Sequence, residues 1–226
     1  SGIKGVVPET GLLVGEHMIN NFNILNENFL VIAGPCHAEE VALERLSYLT
    51  IACSKKNLAK TICLDFNNKY IKTKVSDDVI GIEYSSMLKN IYAIAAGVAH
   101  GLGYGDNFQS ILMSNAIREI KRFIKKKHKI KRNINNSAYL GDLLVTGYSV
   151  FSRNRMFGNM IGKGYTVKAA QMEMKMIAEG YYASKCVNEI QTKFELDLPI
   201  ADAVYQCLYN GKDPRRMFEA IQSLLK

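Results

Sequence analysis

The clearest chemical potential in this chain belongs to a lysine set in an apolar stretch. Lys89 lies in Met87-Leu88-Lys89-Asn90-Ile91-Tyr92-Ala93-Ile94-Ala95-Ala96-Gly97, and from Met87 to Ala99 only Lys89 and Asn90 are firmly polar. Read as a helix, Met87, Ile91, Ile94 and Val98 make one bulky apolar face at three- and four-residue spacing. Around Lys89 the helical neighbours are Ser85, Ser86, Ala93 and Ala96. These small side chains leave room for another helix or for a ligand. A buried ammonium is costly, and burial lowers a lysine pKa toward the range of a general acid or base. The same pattern also fits a lysine whose stem crosses apolar surface and whose head reaches water.

Three other groups carry chemical potential. Asp142 sits between Gly141 and two leucines, a poor setting for an unpaired carboxylate; a lysine such as Lys89 would serve as its partner. Arg153-Asn154-Arg155, after Ser152, offers a guanidinium fork suited to phosphate, or ordinary surface ion pairs. Gly34-Pro35-Cys36-His37-Ala38 follows a short apolar run, at the kind of strand end where α/β sheets bind ligands. Cys36 and His37 are adjacent and diverge on a helix, so they form no nucleophile–base dyad. Gly101-x-Gly103-x-Gly105 follows a helix and lacks the G-x-G-x-x-G spacing of a dinucleotide loop, so it reads as a helix-to-helix corner.

The elements that must position these groups fall into two parts. Phe29–Ala33, Tyr48–Cys53 and Tyr70–Val75 read as strands, with a helix over Lys55–Phe66, which suggests crossover units of a mostly parallel sheet. Ser76-Asp77-Asp78 is a helix-start cluster, and the chain beyond it reads as helix and loop. Asp106 or Asn107 caps a long amphipathic helix, Thr166 opens another, and Pro199 and Pro214 start the last two. The boundary is expected at 76/77: an α/β part over 1–76 and an all-helical part over 77–226.

With 226 residues and 48% hydrophobic side chains, the chain buries a core without disulfide or metal staples. Its five cysteines are odd in number and widely spaced, with no CxxC pair; free thiols, no metal site and a cytoplasmic setting are expected. No apolar run reaches the length of a membrane span, and the start carries no signal-peptide pattern. The net charge of +8 is local, because Lys121–Arg132 holds eight of the 29 basic residues and no acid. Such a run binds nucleic acid or anionic lipid, or simply ends a helix in water; with no stacking aromatic series, no specific nucleic-acid partner is expected.

Taken in order, these motifs resemble the bacterial type of NAD(P)-dependent glycerol-3-phosphate dehydrogenase. The likeness rests on Lys4-Gly5, Gly34-Pro35-x-x-Ala38-x-Glu40, Leu88-Lys89-Asn90, Gly101-x-Gly103-Tyr104-Gly105-x-Asn107, Gly141-Asp142-Leu143, Ser152-Arg153-Asn154-Arg155 and Glu179-Gly180. It implies the end of a Rossmann-like dinucleotide-binding domain followed by an all-α domain like the C-terminal part of 6-phosphogluconate dehydrogenase. It also implies interconversion of dihydroxyacetone phosphate and sn-glycerol 3-phosphate for glycerophospholipid synthesis, with NAD or NADP, in a homodimer. Carried over, Lys89 and Asp142 are catalytic, Lys89 exchanging a proton with the C2 oxygen. Lys4, Gly34, Cys36, Lys89, Asp142, Ser152, Arg153 and Asn154 contact substrate, while Lys4, Ala38, Arg153, Ile177 and Glu179 reach the cofactor. Cys36 stands where the family usually has Ser or Thr, and Tyr139 where it usually has Gly. No G-x-G-x-x-G loop occurs here, so the chain by itself is expected to bind cofactor weakly and not to turn over. Two other classes fit parts of the pattern. A related hydroxyacid dehydrogenase would lack the Ser152-Arg153-Asn154 cluster, and a non-enzymatic helical module would bind anions through Lys121–Arg132.

Overall fold

The computed structural model describes residues 1–226 apart from Lys175 and Ile177. Helix α1 (Val14–Phe22) precedes strand β1 (Leu30–Ala33), the short helix α2 (Ala38–Ala42), strand β2 (Ser47–Cys53), helix α3 (Lys56–Phe66) and strand β3 (Ile71–Ser76). Every later element among the described residues is helical. These are α4 (Val79–Gly101), α5 (Asp106–Lys127), α6 (Asp142–Tyr148), α7 (Arg153–Gly162), α8 (Val167–Glu173), α9 (Glu179–Phe194), α10 (Pro199–Tyr209) and α11 (Pro214–Gln222).

The sheet is three strands in the order β1-β2-β3. β2 and β3 run parallel, Ser47 opposite Ile71, joined by the α3 crossover that parallel pairing requires. β1 runs antiparallel to β2, Leu30 opposite Cys53, which corrects the mostly parallel sheet expected from the sequence. The cause is the connection: the Gly34-Pro35 turn and one short helix reverse the chain beside the strand it has just left. Side-chain alternation then gives the sheet two apolar faces. Ile51 and Cys53 pack with Ala59 and Cys63 of α3, while Val31, Ala33 and Ala52 join the main core.

That core is organised around α4. From Gly81 to Ala99 every residue of this helix is buried, so it is enclosed on all sides rather than amphipathic. Asp78 caps it, its Oδ1 accepting from the Gly81 amide at 3.0 Å. The small-residue face admits two neighbours at very short range. A Cβ on Gly97 would strike the Arg155 carbonyl, one on Gly158 the Ile94 carbonyl and one on Gly180 the Asn90 carbonyl, so α7 and α9 lie directly against the α4 backbone.

Two helix expectations need correction. α5 begins at Asp106 with Gly105 in the capping position, and neither Asp106 nor Asn107 acts as the cap. The long helix from Thr166 is two: α8, capped by Thr166, ends at Glu173, and α9 starts at Glu179. The Gly101–Gly105 segment is indeed a corner between α4 and α5, with Gly103 at φ +88°.

Candidate active site

Lys89 is buried in the first half of α4, and Asp142 opens α6; both are at most 5% exposed. Their side chains meet, with Lys89 Nζ donating to Asp142 Oδ1 at 2.6 Å. This arrangement replaces the lysine-to-surface alternative with a buried ion pair. Lys4 approaches the other carboxylate oxygen at 3.8 Å, so one acid serves two ammonium groups. Thr146, one turn along α6, donates to the Asp142 carbonyl at 2.6 Å. Gly34 lies so close to Asp142 that a Cβ there would collide with Oδ1, which explains why the strand end must be glycine.

The electrostatics follow from this burial. Desolvation pulls the Lys89 pKa down, Asp142 pulls it back up and Lys4 lowers it, leaving it at about 8. Burial pushes Asp142 up, but Lys89 and Lys4 outweigh that and hold it below the usual carboxylate range. The Cys36 thiol is raised, mainly by burial. Asp142 Oδ2 has no hydrogen-bond partner, and Lys89 has donors to spare.

Lys89 borders a cavity of about 540 Å³ lined also by Lys4, Cys36, Ala38, Ser152, Arg153, Asn154 and Glu179, among others; Asp142 lies behind the lysine. The sequence-expected residues therefore converge. Neither Gly34 nor Asp142 lines the cavity; Gly34 packs on Asp142, which reaches the cavity only through Lys89. Ile177 lies outside the described residues. Arg155, the second half of the expected fork, is not among the lining residues. Ser152 caps α7, its Oγ accepting from the Arg155 amide at 3.3 Å, and Asn154 Oδ1 accepts from the Gly180 amide at 2.8 Å. Arg153 pairs with Glu179 at 2.6 Å while also lining the cavity.

Seven lining residues lie outside the expected set: Gly2, Ile3, His37, Glu39, Asn90, Thr146 and Phe151. Thr146 had a signal, being four residues after Asp142 on one helix. Phe151 had none, because its ring reaches the site only by packing beside His37, with centroids 6.4 Å apart.

A second cavity of about 720 Å³ adjoins the first, sharing Lys4, Arg153 and Glu179 and otherwise lined mainly by apolar side chains such as Val6, Pro8, Met174 and Tyr181. No group of three or more metal-ligating side chains occurs among the described residues. The arrangement as a whole is a polar pocket with a buried amine at one end and a largely apolar slot beside it.

Comparison with known proteins agrees. Residues 1–59 match the profile described as NAD-dependent glycerol-3-phosphate dehydrogenase N-terminus, and residues 78–219 match the corresponding C-terminus. A glycerol-3-phosphate dehydrogenase [NAD(P)+] of Bacillus cytotoxicus is 36% identical over 98% of this chain, and one of Listeria monocytogenes is 37% identical over the same span. The chain covers 64% and 65% of those two proteins. The crystal structure of glycerol-3-phosphate dehydrogenase from Coxiella burnetii superposes with a TM-score of 0.89 at 27% identity, over 97% of this chain and 67% of that one. With the site's geometry and both halves of the profile in agreement, the chain belongs to the NAD-dependent glycerol-3-phosphate dehydrogenase family.

Proposed function

We propose that this chain forms the substrate-binding and proton-transferring part of an NAD(P)-dependent glycerol-3-phosphate dehydrogenase. The reaction interconverts dihydroxyacetone phosphate and sn-glycerol 3-phosphate and supplies glycerophospholipid synthesis. The observation that carries the reading is the 2.6 Å Lys89–Asp142 pair facing a polar cavity. In this reading residues 1–76 complete a dinucleotide-binding domain and 77–226 form the substrate domain. A homodimer in the cytoplasm is part of the same reading, supported by family membership and by five free thiols.

Ketone reduction places negative charge on the C2 oxygen, which needs a proton donor. Lys89 gives its Nζ proton to that oxygen and takes it back in the oxidation direction; a pKa of about 8 suits both tasks. Asp142 keeps Nζ aimed at the cavity and, with Lys4, sets its charge. Arg153 takes the substrate phosphate by exchanging its Glu179 contact for the dianion, with Ser152 and the Asn154 amide as neighbouring donors. Cys36 bounds the opposite wall, and Gly34 backs Asp142. The nicotinamide, when bound, supplies the hydride; Lys4, Ala38, Arg153 and Glu179 border the space that would hold it, and Ile177 belongs to the same expected set.

The test is dihydroxyacetone phosphate-dependent oxidation of NADH or NADPH by the complete enzyme, with unphosphorylated dihydroxyacetone as control. Turnover of the phosphorylated ketone is expected, and Arg153→Gln should raise its KM by roughly 10- to 100-fold, the worth of a charged hydrogen bond. Equal rates with both ketones would overturn the reading.

A further inference from the structure

Far from the cavity, a second buried acid connects to the site through the chain. Asp78 is 3% exposed and sits at the start of α4. Besides capping the helix it accepts from Arg132 Nε at 2.6 Å, from Arg132 Nη2 at 3.2 Å and from the Tyr139 hydroxyl at 2.5 Å. His128 Nδ1 lies 3.3 Å from the same carboxylate. Two residues of the basic run thus belong to a folded-state cluster. Tyr139, 4% exposed, sits in a single π-helical turn, Ser137–Gly141, that runs straight into Asp142.

We propose that Tyr139 is a positioning residue for the Lys89–Asp142 pair, tying the start of α6 to the start of α4. This inference rests on the proposed dehydrogenase reading and adds a residue to it. Asp78 and Lys89 are eleven residues apart on one helix, about 16 Å at 1.5 Å per residue. Helical side chains lean toward the N-terminus, so Lys89 reaches back along α4 toward Asp142. From the α6 side, Tyr139 reaches the other way, to Asp78. The two bonds therefore brace the same pair of elements at separated points, and a brace at two points fixes both sliding and rotation. With the tyrosine bond alone removed, the π turn can relax and Asp142 can drift from Nζ.

Tyr139→Phe in the complete enzyme tests this, because Asp78 keeps Arg132 and its capping role, so the fold survives. The expected result is a kcat for ketone reduction about tenfold lower, with KM for dihydroxyacetone phosphate within about twofold, the pattern of a lost transition-state interaction. The alkaline limb of the reduction profile should move to lower pH, since a drifting Asp142 no longer raises the Lys89 pKa. Arg132→Gln is the control. It strips charge from the same acid while leaving the tyrosine bond, and should lower Tm without moving the limb. Equal limb shifts in both variants, or none in Tyr139→Phe, would overturn the proposal. Titration of the Lys89 amine by side-chain NMR reads the same displacement without turnover. If the wild-type enzyme fails to reduce the ketone, the dehydrogenase reading falls, while an unchanged Lys89 titration in Tyr139→Phe overturns the positioning role independently.

Discussion

Helix α4 carries two buried polar contacts three residues apart, and they are built in opposite ways. Tyr92, fully buried, donates to Glu119 Oε2 at 3.0 Å, and the same carboxylate accepts the Ile200 amide at 2.8 Å and the Ala201 amide at 3.2 Å. That acid caps α10 and uses both oxygens in hydrogen bonds, although it too lines a cavity, of about 210 Å³. Lys89 and Asp142, by contrast, share one hydrogen bond and leave Oδ2 without a hydrogen-bond partner, and Lys89 borders the larger cavity. Both spots pay for burying charge, but only one keeps donors and acceptors in reserve. Incomplete satisfaction, rather than burial or a neighbouring cavity, separates a site from a structural joint.

Paired substitutions break the comparison most sharply. Lys89→Met should lower kcat by about 10²–10⁴-fold, the usual worth of a positioned proton donor. Tm should fall as well, because Asp142 then keeps only Lys4, 3.8 Å away. Tyr92→Phe should cost roughly 1–3 kcal/mol from the under-satisfied acid while leaving kcat unchanged. Activity assays and thermal unfolding of both variants decide it, and a comparable kcat loss in Tyr92→Phe would erase the distinction. Next in size is Gly158→Ala. Its new methyl meets the Ile94 carbonyl, so α7 must move off α4. Overpacking of this kind costs about 1–3 kcal/mol. Because α7 carries Arg153, the KM for the phosphorylated ketone should rise together with the drop in Tm, a coupling that Tyr92→Phe lacks.

The open spot was largely legible in the sequence and the sealed one was not. Lys89 stood out because one charge interrupts an apolar run, and Asp142 because a lone acid among leucines demands a partner. Both signals are local. Glu119 looked like any acid on an amphipathic helix, since its partners come from α4 and from α10, far along the chain. Tyr139 read as a departure in a loop, because nothing nearby in sequence announces a bond to Asp78. The antiparallel β1 escaped notice for a similar reason: strand existence is written in apolar runs, while strand direction depends on how the connection folds back. Helix α1 lies outside every element read from the sequence, although the Leu13 amide and the Glu16 carboxylate at its start close a local bond at 3.1 Å.

Two pH experiments sharpen the contrast further. In the proposed reaction Lys89 is protonated when the ketone is reduced, so kcat for reduction should fall as pH rises through about 8, while kcat for oxidation rises over the same range. A flat profile across that interval would remove Lys89 from proton transfer. The sealed site gives the smallest effect, and it appears in stability rather than rate. Burial lifts the Glu119 pKa from 4.5 to about 7, against the pull of its hydrogen bonds. The native state thus holds that proton more tightly than the unfolded chain does. Its stabilising contribution is complete below about 4.5, shrinks above that and is gone once pH has passed about 7. Glu119→Gln removes the titration, so the Tm of the variant should decline less than that of the wild type between pH 5 and 8, by a few °C on the scale of about 2–4 °C per kcal/mol. At pH 8 the net change is small, because the glutamine oxygen accepts only part of what the Ile200 and Ala201 amides offer. The kcat should be unchanged throughout. A shift in kcat would mean that the two spots on α4 are coupled, and the contrast between joint and site would have to be redrawn as one network.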